Sequence, residues 1–487
     1  MSDETRKTVV VAGASGFVGR ALPSVLGDRY ELIGLTRDER RVRGVADASG
    51  GYRWRSCDLF SRRQSIDALE GADIAIYLVH SMLPSADLSQ GEFGDMDLIC
   101  ADNFARGADH HGVEHIVYVS ELLGESQPLT PALASRHDVQ SVLDAYDPEL
   151  TALRAGFVIG RGGAGTQMLC RLVERLRVML LPTWTSSRVA PIARRDLAEL
   201  IGWAVEHPAR SCGAFDVAGP ELTTYRKMLA TLSELMGRDC RLIRVPLESR
   251  RLSTHWISTV TGQPTSVVRP LVERFRQDLI PADNRFQKMA GQQPMSPRQA
   301  LRDVCRNEVA PVESLSPVPV TEEHPKLSDG PRANIVRSVQ RVALPPGRDA
   351  RWVGEEYARW LHDFMGALIQ VTVDDNVVRF FAGPFPWPLL ILERDDDISQ
   401  PQRSLFWIRG GLLAGRNPMA RLEFRRIPTK QAVLTAIHQF QPRLPWMLYM
   451  LTQAHVHDYV MGSFGRHLKR LATRPQLGDD DGVNQPQ

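Results

Sequence analysis

A chain of 487 residues is long enough for two or three domains, each with its own core. Its 59 Lys and Arg residues against 57 Asp and Glu leave a net charge of +2, too weak a global field to favour nucleic acid or an anionic membrane. Six cysteines with no CxxC pair and no His/Cys spacing suited to zinc exclude a sequence-coded metal site and read as buried thiols in a reducing compartment. No apolar run reaches transmembrane length. The opening MSDETRKT carries both charge signs where a secretory signal needs a basic and then an apolar stretch. The expectation is a cytoplasmic protein, with peripheral membrane contact left open.

The first third alternates short apolar runs with amphipathic stretches. TVVVAG, YELIGLT, DIAIYLVH, HIVYVS and LTALRAGFVIG read as strands, with helical patterns such as IDALEGA and ICADNFARGADHHG between them. This alternation predicts an α/β fold: a Rossmann-like, doubly wound parallel sheet covered by helices on both faces. Residues 166–305 are less regular, although FDVAGPELTTYRKMLATLSELMG gives a strand, a turn and a helical period. They are expected to form a substrate lobe that completes a first domain over 1–307.

NEVAPVESLSPVPVTEEHPKLSDGP, rich in proline, serine and acid, predicts a linker over 308–332. A second, α+β domain is expected over 333–475. It opens with an amphipathic helix through Tyr357, Trp360, Leu361 and Phe364 and continues with strands at LIQVTVD, SLFWIRGG, ARLEFRRI and AVLTAIHQF. A long helix from about Pro445 to Leu468 places Leu448, Leu451, His455 and Tyr459 near one face. An antiparallel sheet wrapped on one long C-terminal helix, the helix-grip arrangement, fits this order. Its apolar strand positions read as the lining of a lipid or quinone pocket or as packed core. GPFPWPLLILE at 383–393 reads as an exposed lip, a membrane-touching loop, or a core strand entered through a proline turn. Arg421, Arg425 and Arg426, alternating with Leu422 and Phe424, read as the solvated face of a strand, and His455 and His457 face different ways on a helix, which argues against a metal there. The polar tail at 476–487 reads as disordered.

VVVAGASGFVGRAL sets Gly13, Gly16 and Gly19 three residues apart between a strand and a helix. Glycine at these points permits a tight turn, backbone approach to a pyrophosphate and close helix packing, while the helix start supplies amides. Gly13, Ser15, Gly16, Phe17, Val18 and Gly19 are therefore the candidate cofactor cradle. The second strand ends GLTRDERR, where Arg37 suits the 2′-phosphate of NADP. Two competing readings make Asp38 a ribose ligand for NAD, or Arg37 a solvated loop charge. In CDL at 57–59, Asp58 would face the adenine amino group and Leu59 its ring. Asp58 as the cap of the next helix is the competing reading.

These residues together resemble the atypical branch of the extended short-chain dehydrogenase/reductases, near its NmrA-like and complex I subunit-like members. GASGFVG matches the glycine loop, YLVHSM at 77–82 the fourth-strand end and HIVYVS at 115–120 the fifth. LRAGFVIGRG, RVAPIARRDLAELI and FDVAGPELTTYRKML continue in order, so that the resemblance covers about residues 7–305. It implies an NAD(P)-binding domain in which Val79, His80, Ser81 and Phe157 also contact the cofactor. The C-terminal region resembles the poorly characterised domain that follows some of these reductases.

The family carries proton chemistry on a Tyr-x-x-x-Lys pair, and in register this chain has Ala132 and Arg136. Alanine cannot donate a proton. Arg136 reads as a ribose clamp or as a helix-start arginine bonded to carbonyls, Ser135 as a helix cap and His137 as surface. Any donor is expected at the C-terminal ends of strands, where His80, Ser81 and Ser120 fall. His80 is the best acid by its unperturbed pKa, against a reading in which it only orients backbone or diphosphate, and Ser120 is an anchor. The catalytic candidates are thus His80, Ser120 and Arg136. They serve an NADPH-dependent reductase of a small hydrophobic substrate or lipid; the alternative is a non-catalytic NADPH-binding regulator or assembly protein. The sequence leaves the oligomeric state open.

Overall fold

The computed structural model of the chain describes residues 6–42, 51–80, 88–90, 93–123, 130–246, 249–306, 335–366, 368–415 and 417–473. The linker and tail expected at 308–332 and 476–487 lie outside the described residues. The chain divides into two units: Met1–Met82 with Asp97–Leu327, and Leu83–Met96 with Ser328–Gln487.

In the N-terminal unit, β1 (Thr8–Ala12), β2 (Glu31–Thr36), β3 (Arg53–Ser56), β4 (Ile74–Tyr77), β6 (His115–Glu121), β7 (Glu149–Ala155) and β8 (Gly213–Val217) form one parallel sheet, β5 belonging to the other unit. Their order is β8-β7-β6-β4-β1-β2-β3. The run Val9–Ala12 is fully buried, as a strand covered on both faces requires. In β6 every residue is buried, His115 included; its Nε2 lies 2.7 Å from Thr151 Oγ1. The edge strand β3 has no counterpart in the sequence reading, because RWRS is half-exposed and charged and carries no apolar run.

Helices α1 (Phe93–His110), α2 (Pro131–Leu143), α3 (Ala164–Arg175), α4 (Arg194–Glu206), α5 (Tyr225–Leu235) and α6 (Thr265–Phe275) belong to this unit, except for the first residues of α1. The less regular stretch after β7 has its own core, in which Phe157, Trp184, Tyr225 and Phe275 pack ring on ring, Tyr225 and Phe275 at 4.3 Å. The expected helix after the glycine loop is a 3-10 turn, Gly19–Ala21, followed by the short helix Pro23–Leu26. Pro23 brings no N–H and so breaks the regular ladder there. Ser135 is not a cap, because α2 starts earlier, at Thr130: its hydroxyl accepts from Leu133 N at 3.5 Å ahead of Pro131. His137 is exposed, and Val139, Val142 and Leu143 are buried, as the helical period predicts.

In the C-terminal unit, β9 (Val336–Ala343) precedes helix α7 (Ala350–Met365). Then follow β10 (Ile369–Asp374), β11 (Val377–Ala382), β12 (Pro388–Arg394), β13 (Arg403–Gly410), β14 (Arg421–Arg426) and β15 (Ala432–Phe440). The order β10-β11-β12-β13-β14-β15-β9 is antiparallel throughout, and β5 (Leu88–Gln90) adds in parallel beside β9. The two-residue turn Asp375-Asn376, with Asp375 at φ 52°, closes the first hairpin. Asp349 caps α7 by accepting from Trp352 N at 2.8 Å. One face of this sheet, with Leu422 and Phe424, packs on α7 and the C-terminal helix; Tyr357 and Phe464 meet at 5.2 Å in that core.

The long C-terminal helix is two helices, α8 (Trp446–Leu451) and α9 (Gln453–Thr473), broken at Thr452 with φ −126° and ψ −78°. Leu448, Leu451, His455 and Tyr459 face outward, and the core is reached by Tyr449, Ala454, Val460, Met461, Phe464 and Leu468 instead. Gly383–Trp387 forms an exposed turn with Phe385 and Trp387 at 61% and 63% exposure, and PLLILER continues from it as β12, a mostly half-buried strand and not the core strand expected.

Arg421 and Arg425 are not a solvated face. They are buried on the second face of the sheet, because Glu423 between them accepts from Arg425 and from Arg403 of the neighbouring strand at 2.6 Å. Burial acts to raise the Glu423 pKa, but Arg425 and Arg403 hold it well below the usual carboxylate value. Beside it, burial and then Arg421 bring His438 down to about 4.

Candidate functional site

The parallel sheet reverses its strand order between β1 and β4, and ligands of such sheets bind outside the C-terminal strand ends at that point. The glycine loop leaves β1 and Leu78–His80 leaves β4, with Leu78 N donating to Ala12 O at 2.9 Å. The three glycines have different reasons to be there. Gly13 has φ +88°, and a side chain would meet the Leu78 backbone at 3.1 Å. At Gly19 a Cβ would lie 2.5 Å from Gly13 O and 2.7 Å from Ala14 Cα, so close packing of the turn excludes it. At Gly16 a Cβ would meet Gly13 O at 3.0 Å and nothing else within 4 Å among the described residues. Gly16 therefore keeps its backbone free of a side chain, the property that close approach of a pyrophosphate needs. Ser15 lends its carbonyl to Arg20 Nε at 2.9 Å, Val18 packs on the sheet core and Phe17 packs under Arg194.

Arg37, at the end of β2, is exposed and has no partner among the described residues. Asp38 is engaged: its carboxylate accepts from Arg40 N at 3.0 Å and Arg40 Nε at 3.1 Å, and it approaches Arg41. Those contacts outweigh a desolvation that acts the other way and lower its pKa. Arg41 stacks on Trp54, 5.2 Å to the ring centre, and Tyr52 donates to Gly19 O at 2.7 Å. Neither aromatic residue was singled out in the sequence, since both sit in or beside the weakly patterned edge strand. Asp58 does not cap the next helix, whose cap is Ser61; it turns its carboxylate to Phe60 N at 3.2 Å. Leu59 is buried, and its carbonyl accepts from Asn103 at 2.8 Å.

Of the expected catalytic residues, His80 follows β4, Ser120 lies at the end of β6 and Arg136 on α2. Ser120 is buried at the end of β6. Arg136 is buried and its Nη1 donates to Asp97 on α1 at 3.0 Å, an ion pair in place of the carbonyl contacts read from sequence. Burial opposes the charge, but Asp97, Tyr118 and Glu121 raise the Arg136 pKa further. His80 is exposed at its own surface and set among protein at longer range. That desolvation, then the charges of Arg136 and Arg274, lower its pKa well below 6.5. The ring is thus neutral at neutral pH, and it offers a hydrogen bond rather than a proton. Glu121, after Ser120, pairs with Arg274 of α6 and ties the lobe to the sheet end.

Phe157 turns its ring into the lobe core, 5.8 Å from both Tyr225 and Phe275, which leaves backbone rather than ring for any cofactor contact. Val79 is half-buried beside His80, and Ser81 lies outside the described residues. In the C-terminal unit a cavity of about 300 Å³ lies between α7 and the β10–β11 hairpin, lined by Ala358, Val373, Val378 and Phe406 with Arg359 and Arg394.

Residues 13–158 match the family described as NAD(P)H-binding. This stretch is an NAD(P)H-binding domain. Over 113 residues, 23% of this chain and 35% of the other protein, the sequence is 30% identical to the auxiliary protein GraX of Staphylococcus aureus. Over 277 residues, 54% of this chain and 83% of the other, it is 25% identical to a ceramide reductase of Caulobacter vibrioides. Among solved structures, an NADPH-dependent quinone oxidoreductase from Escherichia coli bound to NADPH covers 61% of this chain and 99% of its own, at 17% identity and a TM-score of 0.48. The chain spans about a third of the length of the GraX protein that it matches. No helix of the described residues is long and apolar enough to cross a membrane.

Proposed function

We propose that the protein is an NADPH-dependent reductase of a carbonyl, enoyl or quinone-like group on a hydrophobic substrate, working without the Tyr-x-x-x-Lys pair. The observation that carries this reading is the glycine loop at the sheet's reversal point, where Gly16 presents backbone with no side chain. Arg37, at the end of β2 and without a partner among the described residues, supports NADPH over NADH, because a guanidinium pairs with the two oxygens of a 2′-phosphate. The ceramide reductase among the relatives supports a lipid-like substrate.

Bound NADPH supplies a hydride. In this reading the chain orients the acceptor: the neutral His80 ring and the Ser120 hydroxyl hydrogen-bond its oxygen, and Arg136, held by Asp97, sets the positive potential beside it. The final proton comes from solvent. A second reading, a non-catalytic NADPH-binding regulator, is favoured by the same Arg136–Asp97 pair and by Ala132, since no side chain there is poised to give a proton.

A titration with NADPH and NADH comes first, followed by mass spectrometry of any lipid or quinone that copurifies. Gly16→Val should abolish NADPH binding, and unchanged affinity would remove the basis of both readings. Arg37→Glu should turn the preference toward NADH. NADPH consumption with the copurified compound separates a reductase from a regulator.

A further inference from the structure

The ring of Phe17, the residue after Gly16, lies against the turn at 160–163, where a Cβ would come 3.0 Å from the ring at Gly160 and 2.9 Å at Gly163. Arg194, the first residue of α4, stacks on the same ring with its guanidinium carbon 5.3 Å from the centre, and its Nη1 donates to Arg161 O at 3.2 Å. Arg20 is anchored on the loop itself through Ser15 O. The guanidiniums of Arg20 and Arg194 thus lie at one glycine loop, with Arg161 close enough to repel that of Arg194, and none of the three has a carboxylate partner among the described residues. Other arginines of this unit have carboxylate partners: Arg136 with Asp97, Arg274 with Glu121, Arg188 with Asp278 and Arg29 with Glu206. Burial, then repulsion from Arg161 and Arg20, lowers the Arg194 pKa. Like charges held together on a half-buried surface are relieved by an anion.

We infer that Arg20, Arg161 and Arg194 form a phosphate clamp that takes the diphosphate of the bound dinucleotide beside the amides of the glycine loop. This rests on the reading of Gly13–Gly19 as the dinucleotide cradle. Guanidinium is the side chain whose donors match paired phosphate oxygens, and the clamp stands on the same loop as the bare backbone of Gly16.

The test uses the full chain, with NADPH affinity and melting temperature measured for the natural protein, the double variant Arg161→Met/Arg194→Met, and Arg195→Met. Arg195 is exposed and pairs with Glu199 at 2.9 Å, so its variant is the control. The double variant should lose about tenfold or more in NADPH affinity, the order expected for charge-assisted bonds, with a weaker salt dependence. Inorganic pyrophosphate should compete with NADPH in the natural protein and not in the double variant. Without ligand the double variant should melt no lower than the natural protein, since repulsion is removed and methionine keeps the packing on Phe17. If it melts lower, Arg161→Lys/Arg194→Lys keeps charge and packing and should lose only a few fold in affinity.

Unchanged NADPH affinity in the double variant, or an equal loss in Arg195→Met, overturns the clamp. Loss of pyrophosphate competition with NADPH affinity intact would give the arginines to the phosphate of some other molecule and overturn the assignment to the dinucleotide. If the natural protein binds no NADPH, the cradle reading falls, and the clamp falls with it.

Discussion

The two sheets bury their strands by different means. In the parallel sheet both faces are filled by apolar side chains: Val9, Val11, Ile74, Ile76, Val117 and Leu153 pack on one of them at almost no exposure. In the antiparallel sheet one face is apolar, and the other buries Arg421, Glu423, Arg425 and His438. The first arrangement is held by volume and tolerates a change of shape poorly. The second is held by charge balance around Glu423, so that a change of one proton or one carboxylate matters there more than a change of size.

The largest test of that contrast is Glu423→Gln, which is nearly isosteric. It leaves buried guanidiniums without their carboxylate and should cost about 3–5 kcal/mol, read as an earlier calorimetric transition. A loss below about 1 kcal/mol would mean that this face is held by packing after all. In the other sheet the reverse should hold. Leu153→Ala, at a fully buried position, should cost about 2–5 kcal/mol by leaving a cavity, whereas Leu153→Met should cost less than about 1.5 kcal/mol.

Acid should weaken both units. Burial brings His115 in one and His457 in the other down to about 4 from 6.5. Their folded pKa lies below the unfolded one, so between those values the unfolded chain binds more protons. Stability is complete above pH 6.5 and falls as the pH drops toward 4, by on the order of 3 kcal/mol for the fully buried His115 and less for His457. Urea midpoints measured across this range should fall less steeply in His115→Gln, and an identical slope would show that other groups set the acid limb. The smallest effects belong to the helix caps. Thr130→Ala and Asp349→Ala each remove one acceptor for a helix-start amide and should each cost about 1 kcal/mol.

The features that were legible before the structure are those in which a local pattern reports burial. VVVA, HIVYVS and LTALRA are strands because nothing else buries such runs, and the glycine spacing marked the turn that the φ of Gly13 requires. What was not legible depends on partners distant in sequence. Arg425 is charged in any local window, and only the pairing that sets Arg403 and Glu423 side by side makes its burial tolerable. Asp97 precedes Arg136 by 39 residues and belongs to another helix, so the pairing of Arg136 was hidden. The lowered pKa of His80 also depends on distant chain, first through desolvation and then through the guanidiniums that α2 and α6 bring near. The break at Thr452 was missed for a different reason: the apolar period runs through it, while the backbone does not.

The chain passes from one unit to the other after residues 82, 96 and 327. The β5 strand and Asp95, which holds Arg341 at 2.9 Å, thus belong to the C-terminal unit although they lie far upstream of it in the chain. Scissors applied anywhere in 307–334 would not yield two whole pieces. The front fragment would carry a three-residue strand and a carboxylate whose partners had left, and the rear fragment would lack the edge that covers β9. A boundary drawn between the units has to carry Leu83–Met96 along with the C-terminal one, like a stitch that passes through both.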